Sequence, residues 1–281
     1  MTESAAARPG GTSLPGVVIA ACWAADADAV EARFRAHHLR GIRRNALSES
    51  RVRLHATTVG EDSPAPAVRA LRAEGIRAVE GPPTPGQAIG WRRRNAPVWF
   101  SHDAFVCPPW SDADRSSSTA VEIDPGAGFG AGRHPSTLAL LEMIARRPAA
   151  PTLLDVGCGS GVLSVAAAMH GTTDVIAIDI DSRAIEATRA NAIYNGVDDR
   201  VVASTTALTA VGGAFAAIVA NIHAHVLVTM APDFGRLLAP GGWLALSGIS
   251  RAQVSTLAAR LTPLAVVEQV QRDDWVALVL T

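Results

Sequence analysis

The chain has 281 residues, 48% of them apolar, and a net charge of −1; it can bury a sizeable core, enough for one large α/β domain and a smaller one, and it lacks the basic footprint of a nucleic-acid binder. All 25 basic residues are Arg, which excludes Schiff-base or lysine-nucleophile chemistry. Three widely spaced cysteines, Cys22, Cys107 and Cys158, fit a reducing cytoplasm and neither a disulfide framework nor a metal site.

Residues 1–14 are polar and small-residue rich, without the basic start and apolar stretch of a signal peptide, and read as a disordered tail. A strand over 16–24 follows. Asp26 or Asp28 then caps a helix to about residue 39, with Ala29, Val30, Phe34 and His37 or His38 at helical spacing. Alternation of Val52, Leu54 and Ala56 predicts a second strand over 51–59, then a helix over 65–74 ended by Gly75 and a short strand over 77–80. This β-α-β-α-β order predicts a small α+β domain over 15–81. Residues 82–119 are a linker and connecting segment, opening on the PPTPG of 82–86 and running through the basic Trp91-Arg92-Arg93-Arg94.

From 120 to the end, strands and helices alternate as a parallel sheet requires. Strands are predicted over 152–156, 174–178, 200–204, 215–220 and 243–247. Helices are predicted over 136–147, 161–170, 182–195, 223–238 and 253–261, with Gly171 and Gly196 as C-caps and a break at Pro232. Two final runs, 265–270 and 275–280, flank a turn and make the last strand antiparallel. No apolar run is long enough to span a membrane.

The chemistry concentrates at LLDVGCGSG, 153–161, which joins an apolar strand to an apolar helix. Gly157, Gly159 and Gly161 let the backbone turn tightly against a ligand. Asp179 ends the next strand, where a carboxylate can accept both ribose hydroxyls of an adenosine ligand; Asp181 is the better candidate for the cap of the following helix. Asp155, inside the turn motif, would repel the diphosphate of a dinucleotide. It suits the cationic sulfonium and amine of S-adenosyl-L-methionine, so a methyltransferase is favoured over a dehydrogenase. Ahead of this lies IDPGAGFGAGRHPST, 123–137, a glycine-rich loop capped by hydroxyls. Beyond it lies IVANIHAH, 218–225, at the C-terminal edge of a strand, where open sheets bind ligands. There Asn221 offers both a donor and an acceptor.

Taken together, these segments resemble the PrmA family, bacterial methyltransferases of large-subunit ribosomal protein eleven. IDPGAGFGAGRHPST, LDVGCGSG, AIDID, VANI and APGGWLALSGIS follow the family's order and spacing, and FVCPPW and DDWVALVL are also similar. The likeness runs from about Trp91 to the C-terminus. It implies an α/β fold, a Rossmann-like seven-stranded class I methyltransferase domain (120–281) behind a smaller N-terminal α+β, ferredoxin-like domain that presents the protein substrate. It also implies cofactor contacts from Thr137, Gly157, Asp179 and Asn221, with Phe129 lying against the cofactor. The chain departs from the pattern at Ala131, Ser136, His223 and His225, and its TPGQAIG lacks the family's acidic residues before Trp91.

The expectation is a cytoplasmic N-methyltransferase using S-adenosyl-L-methionine on a lysine or N-terminal amine of a ribosomal or other protein, or alternatively on a small-molecule amine. The cofactor set is Phe129, Thr137, Asp155, Gly157, Gly159, Gly161, Asp179 and Asn221. His134, His223 and His225 are candidates to take the acceptor's proton. Neither a metal nor direct nucleic-acid contact is expected, and Ala220-Asn-Ile-His in the place of an Asn/Asp-Pro-Pro-Tyr segment disfavours adenine, cytosine and glutamine as acceptors.

Overall fold

The computed structural model describes residues 16–47, 49–59, 63–81, 96–109, 111, 113, 114, 117–124 and 130–281. The expected tail, the linker at 82–86, the basic segment 91–94 and Phe129 lie outside them. The chain divides into two compact units, Met1–Ile89 and Gly90–Thr281.

In the first unit, strand β1 (Val17–Trp23) leads through a short 3-10 turn into helix α1 (Ala27–Ala36). Strands β2 (Arg40–Ala46) and β3 (Arg51–Thr57), helix α2 (Ala65–Ala73) and strand β4 (Ala78–Glu80) follow. The sheet order is β2-β3-β1-β4, with every neighbouring pair antiparallel. This β-α-β-β-α-β arrangement is ferredoxin-like. It corrects the five-element expectation, which lacked β2. That strand is RGIRRNA, mostly exposed, and shows no apolar alternation. Its pairing with β3 and the ion pairs from Arg44 to Asp28 and Glu31 of α1 hold it in place. Val18, Ala20, Leu54 and Ala56 meet Phe34 and Leu71 of the two helices to form this unit's core.

The second unit contains a seven-stranded sheet built from β8 (Thr152–Val156), β9 (Asp174–Ile178), β10 (Val201–Ser204), β11 (Phe215–Asn221), β12 (Leu238–Ser250), β13 (Val266–Arg272) and β14 (Trp275–Leu280). Its order is β10-β9-β8-β11-β12-β14-β13, parallel through the first five positions, with β14 antiparallel to both of its neighbours. This is the Rossmann-like methyltransferase sheet. Residues 98–122, assigned above mainly to the connecting segment, carry a separate three-stranded sheet of β5 (Val98–Trp99), β6 (Ala104–Cys107) and β7 (Thr119–Glu122).

One layer of helices comprises α3 (Pro135–Ala145), α4 (Val162–His170) and α5 (Ser182–Asn195), packed on a core that includes Leu141, Val165 and Val219. The other comprises α6 (Ala224–Leu237) and α7 (Val254–Arg260), packed on a core with Leu227, Phe234 and Leu246. Gly171 and Gly196 cap α4 and α5 as expected, at φ 122° and 67°. Pro232 does not break α6, which runs through it. Pro232 is exposed and Val228, whose carbonyl loses its intrahelical donor, is only half-buried, so water can replace that bond. Among the described residues, no helix is long and apolar enough to cross a membrane.

Candidate active site

The strand order reverses direction at β8: β9 and β10 lie to one side, β11 and β12 to the other. Ligands of open α/β sheets bind at the carboxyl ends of strands at such a point. A cleft of about 570 Å³ opens there, within the range of small-molecule sites.

One wall is the turn after β8. Gly157 and Cys158 both donate their N–H groups to the Ile178 carbonyl, at 2.8 and 3.1 Å, which pulls the turn against the end of β9. Gly159 donates to Asp179 Oδ2 at 3.0 Å, and Asp181 donates to Asp179 Oδ1 at 3.0 Å. The Asp179 carboxylate is therefore oriented by backbone on both oxygens, and each keeps acceptor capacity for a pair of vicinal hydroxyls. Gly161 caps α4 at φ 78°; a Cβ there would lie 2.7–2.9 Å from Thr188. Asp181 caps α5 by accepting from Arg183 N–H, which leaves Asp179 free of that duty. Burial pushes the Cys158 thiol up to about 12, so this part of the wall is neutral.

The other wall comes from α3 and β11. Thr137 and Asn221, 84 positions apart, meet at 2.9 Å, Asn221 Nδ2 donating to Thr137 Oγ1. Gly248, at the bulge of β12, has φ 83°, and a Cβ there would fall 2.6 Å from the Ile222 carbonyl oxygen. Glycine is required at that approach, and it holds the segment after Asn221 in place.

Of the expected cofactor residues, the cleft is lined by Thr137, Gly157, Gly159, Asp179 and Asn221. Two residues are not on the wall. Gly161 lies beneath it against Thr188. Asp155 is fully enclosed on β8, with Oδ2 accepting from Ser164 N–H and Oγ–H at 3.2 and 2.6 Å, and Oδ1 without a partner. Burial pushes its carboxyl up to about 7.

The three histidines separate. His134 lines the cleft and is the N-cap of α3: its Nδ1 accepts from Ser136 N–H at 3.3 Å and lies 2.7 Å from Ser136 Oγ, and its ring stands edge-on to Trp275 at 4.9 Å. His223 lines the cleft, is exposed and makes no side-chain cap hydrogen bond. His225, stacked on it at 5.9 Å, is not among the lining residues.

Several participants were not singled out from sequence. Trp275 and the exposed Ile180 line the cleft. Asn191, fully buried on α5, exchanges two hydrogen bonds with the Asp124 backbone and donates to the Ser160 carbonyl. Asn195 does the same for Glu122. Asparagines four apart on a helix were the available signal, since a helix interior normally disfavours them.

Among the described residues, the lining contains no Arg, has Asp179 on the wall and is otherwise largely apolar. A diphosphate would find no cation there, whereas a cationic adenosine ligand fits. This sheet, turn and carboxylate define a class I S-adenosyl-L-methionine-dependent methyltransferase. A sequence model described as "Ribosomal protein L11 methyltransferase (PrmA)" matches residues 88–281, and the chain belongs to that family. A ribosomal protein L11 methyltransferase of Citrifermentans bemidjiense is 36% identical over 232 residues, 74% of this chain and 76% of the relative. The one from Dechloromonas aromatica is 40% identical over 186 residues, 65% and 61% of the two chains. The crystal structure of a ribosomal protein L11 methylase from Lactobacillus delbrueckii subsp. bulgaricus superposes with a TM-score of 0.62 at 30% identity, covering 66% of this chain and 97% of that one.

Proposed function

We propose that the enzyme methylates amino groups of a ribosomal protein, on a lysine side chain or the N-terminus. The observation that carries this reading is the cleft itself. Thr137 and Asn221 meet at 2.9 Å on one wall, and the Gly159–Asp179 contact of 3.0 Å forms the other. The relatives named as L11 methyltransferases supply the substrate class. Gly157, Gly159 and Asp179 hold the nucleoside end of the donor, and Thr137 and Asn221 its polar end, with Phe129 as a further contact. Gly161 and Asp155 support the turn from below.

S-Adenosyl-L-methionine supplies an electrophilic methyl group, and the chain's part is alignment and exclusion of water. A lysine amine, with an ordinary pKa of about 10.4, must be neutral to attack, and the apolar lining favours that form. Of the histidines, His223 is the one on the wall with a ring not committed to capping, and it is the proton acceptor of this reading. The ferredoxin-like unit is the recognition element; its edge strand β2 offers the exposed Arg40 and Arg43. A ribosomal substrate is met in the cytoplasm, a setting compatible with three buried free thiols.

The test is transfer of labelled methyl groups by the full chain to purified L11 and, in parallel, to a metabolite extract. Label in the protein supports the proposal, and label only in the extract overturns it in favour of a small-molecule amine. Replacing His223 with Ala is expected to lower the single-turnover rate by about tenfold or more, with His225→Ala nearly silent. Equal rates in wild type and His223→Ala remove His223 from the mechanism.

A further inference from the structure

Asp155 is the acidic residue of the turn motif that stands off the cleft wall. It lies level with Ala177 of β9 and Val219 of β11, and Val156 and Gly157, next along the chain, line the cleft. Its side chain is half-satisfied: Oδ2 takes both hydrogen bonds from Ser164, and Oδ1 has no donor. A carboxylate so enclosed wants either a proton or a positive charge nearby.

The groups facing it supply neither. From β9, Asp179 acts on it and raises its pKa further; Asp174 lies at the other end of that strand, beside Thr152. The turn contributes Cys158, a neutral thiol. On α4, the ionisable side chain His170 sits at the last position and is bound to the Arg147 carbonyl. β11, FAAIVAN, has no ionisable group. The Asp155 carboxyl is accordingly raised from 3.8 to about 7. Because the unfolded chain releases this proton first, stability falls as pH rises through that window and levels above it.

We propose that Asp155 is the specificity determinant by which the cleft distinguishes the cationic methyl donor from its neutral demethylated product: it holds the donor as a carboxylate and the product as an acid. The inference rests on the methyltransferase reading of the cleft. The donor carries a net positive charge through its sulfonium, and the product has lost it. A positive ligand in the cleft that Val156 and Gly157 line lowers the Asp155 pKa, so the proton leaves to solvent as donor binds. Once the methyl group has gone, the carboxyl regains a proton from solvent. Donor affinity therefore rises with pH relative to product affinity, and product inhibition weakens as pH rises through neutrality.

Calorimetry of the full chain with S-adenosylmethionine and S-adenosylhomocysteine, from about pH 5.5 to about pH 8.5, tests this. The ratio of product Kd to donor Kd should rise by about three- to tenfold, tenfold corresponding to a donor-induced drop of one pKa unit. In buffers of different ionisation enthalpy, donor binding near neutrality should release more protons than product binding. Both ligands carry a titratable α-amino group of their own, so Asp155→Asn is the control: the rise attributable to the protein should vanish. Ser164→Ala keeps the charge but removes the Oγ donor that favours it, and should move the midpoint to higher pH; this variant decides if Asp155→Asn does not fold. A flat wild-type ratio, an Asp155→Asn profile matching wild type, or a Ser164→Ala midpoint that stays put or falls overturns the proposal. If neither ligand binds wild type at any pH, the cofactor reading itself fails, which is a different result.

Discussion

The turn wall of the cleft and the rim that faces it are built on different principles. On the turn wall, main-chain groups do the positioning: N–H groups of Gly157, Cys158 and Gly159 are tied to Ile178 and Asp179, and Asn191 clamps the Ser160 carbonyl from behind. On the facing rim, side chains from separate elements make two separate ring contacts, His134 edge-on to Trp275 and His223 stacked on His225, with His223 and His225 exposed. The turn wall is preorganised by hydrogen bonds that tie one strand–turn–helix unit to the end of β9 and to α5. The rim is a set of side chains whose geometry depends on how distant elements pack. A donor shared by all methyl transfers calls for the first kind of wall, and an acceptor that must dock and leave is suited to the second.

The sharpest way to break the turn wall is Gly161→Ala. The new Cβ would lie 2.7 Å from Thr188 Cγ2 and 2.9 Å from Thr188 Cα, at a φ of 78°. Left-handed strain and overpacking together should cost about 2–4 kcal/mol, read as a lowered denaturation midpoint with an unchanged slope. Trimming Thr188 to Ala as well should recover only part of the loss, because the clash with the Thr188 main chain remains. An unaltered midpoint in the single variant would mean that the turn yields, and the contrast with the rim would dissolve.

The same contrast explains what could be read from residues alone. The turn, the carboxylate after β9 and the alternation of strand and helix are local patterns; most of these elements sit within a residue or two of their expected place, whereas β12 runs over Leu238–Ser250 where 243–247 was expected. The Thr137–Asn221 contact was not legible, since no local rule links residues 84 positions apart; the family resemblance named both as cofactor contacts without pairing them. Strand β2 escaped because an exposed edge strand rich in Arg has no period to detect. Trp275 and Asn191 escaped for a related reason: an aromatic residue beginning a hairpin strand and an amide inside a helix acquire meaning only from what packs against them. Asp155 was read as part of the ligand surface, yet its position on β8 buries it, and spacing along the chain does not distinguish the wall from the layer beneath.

Asp179→Ala removes acceptors for two backbone N–H groups and for the ligand's hydroxyls while leaving the sheet intact. A loss of hydrogen bonds to a charged acceptor is worth about 1.5–3 kcal/mol, so calorimetry should show donor and product affinity falling together by about ten- to a hundredfold. A parallel loss for both ligands marks a nucleoside contact. A loss confined to the donor would instead assign Asp179 to charge recognition, the role argued above for Asp155.

The smallest effect separates structure from chemistry on the rim. His134 accepts from Ser136 N–H through Nδ1 as the cap of α3, so the ring's lone pair is engaged by the helix. A ring in that state has no free lone pair to offer an incoming amine. His134→Ala should therefore cost about 0.5–2 kcal/mol of stability through the lost cap. His134→Asn, which supplies a capping oxygen, should restore most of it and leave the single-turnover rate close to wild type across pH. If Asn restores stability but the rate stays at least tenfold down, with the pH profile flattened near neutrality, His134 is the proton acceptor and His223 is not. The rim then works through the residue most firmly anchored to the scaffold, and the division between a rigid donor wall and an adjustable acceptor rim has to be redrawn through α3.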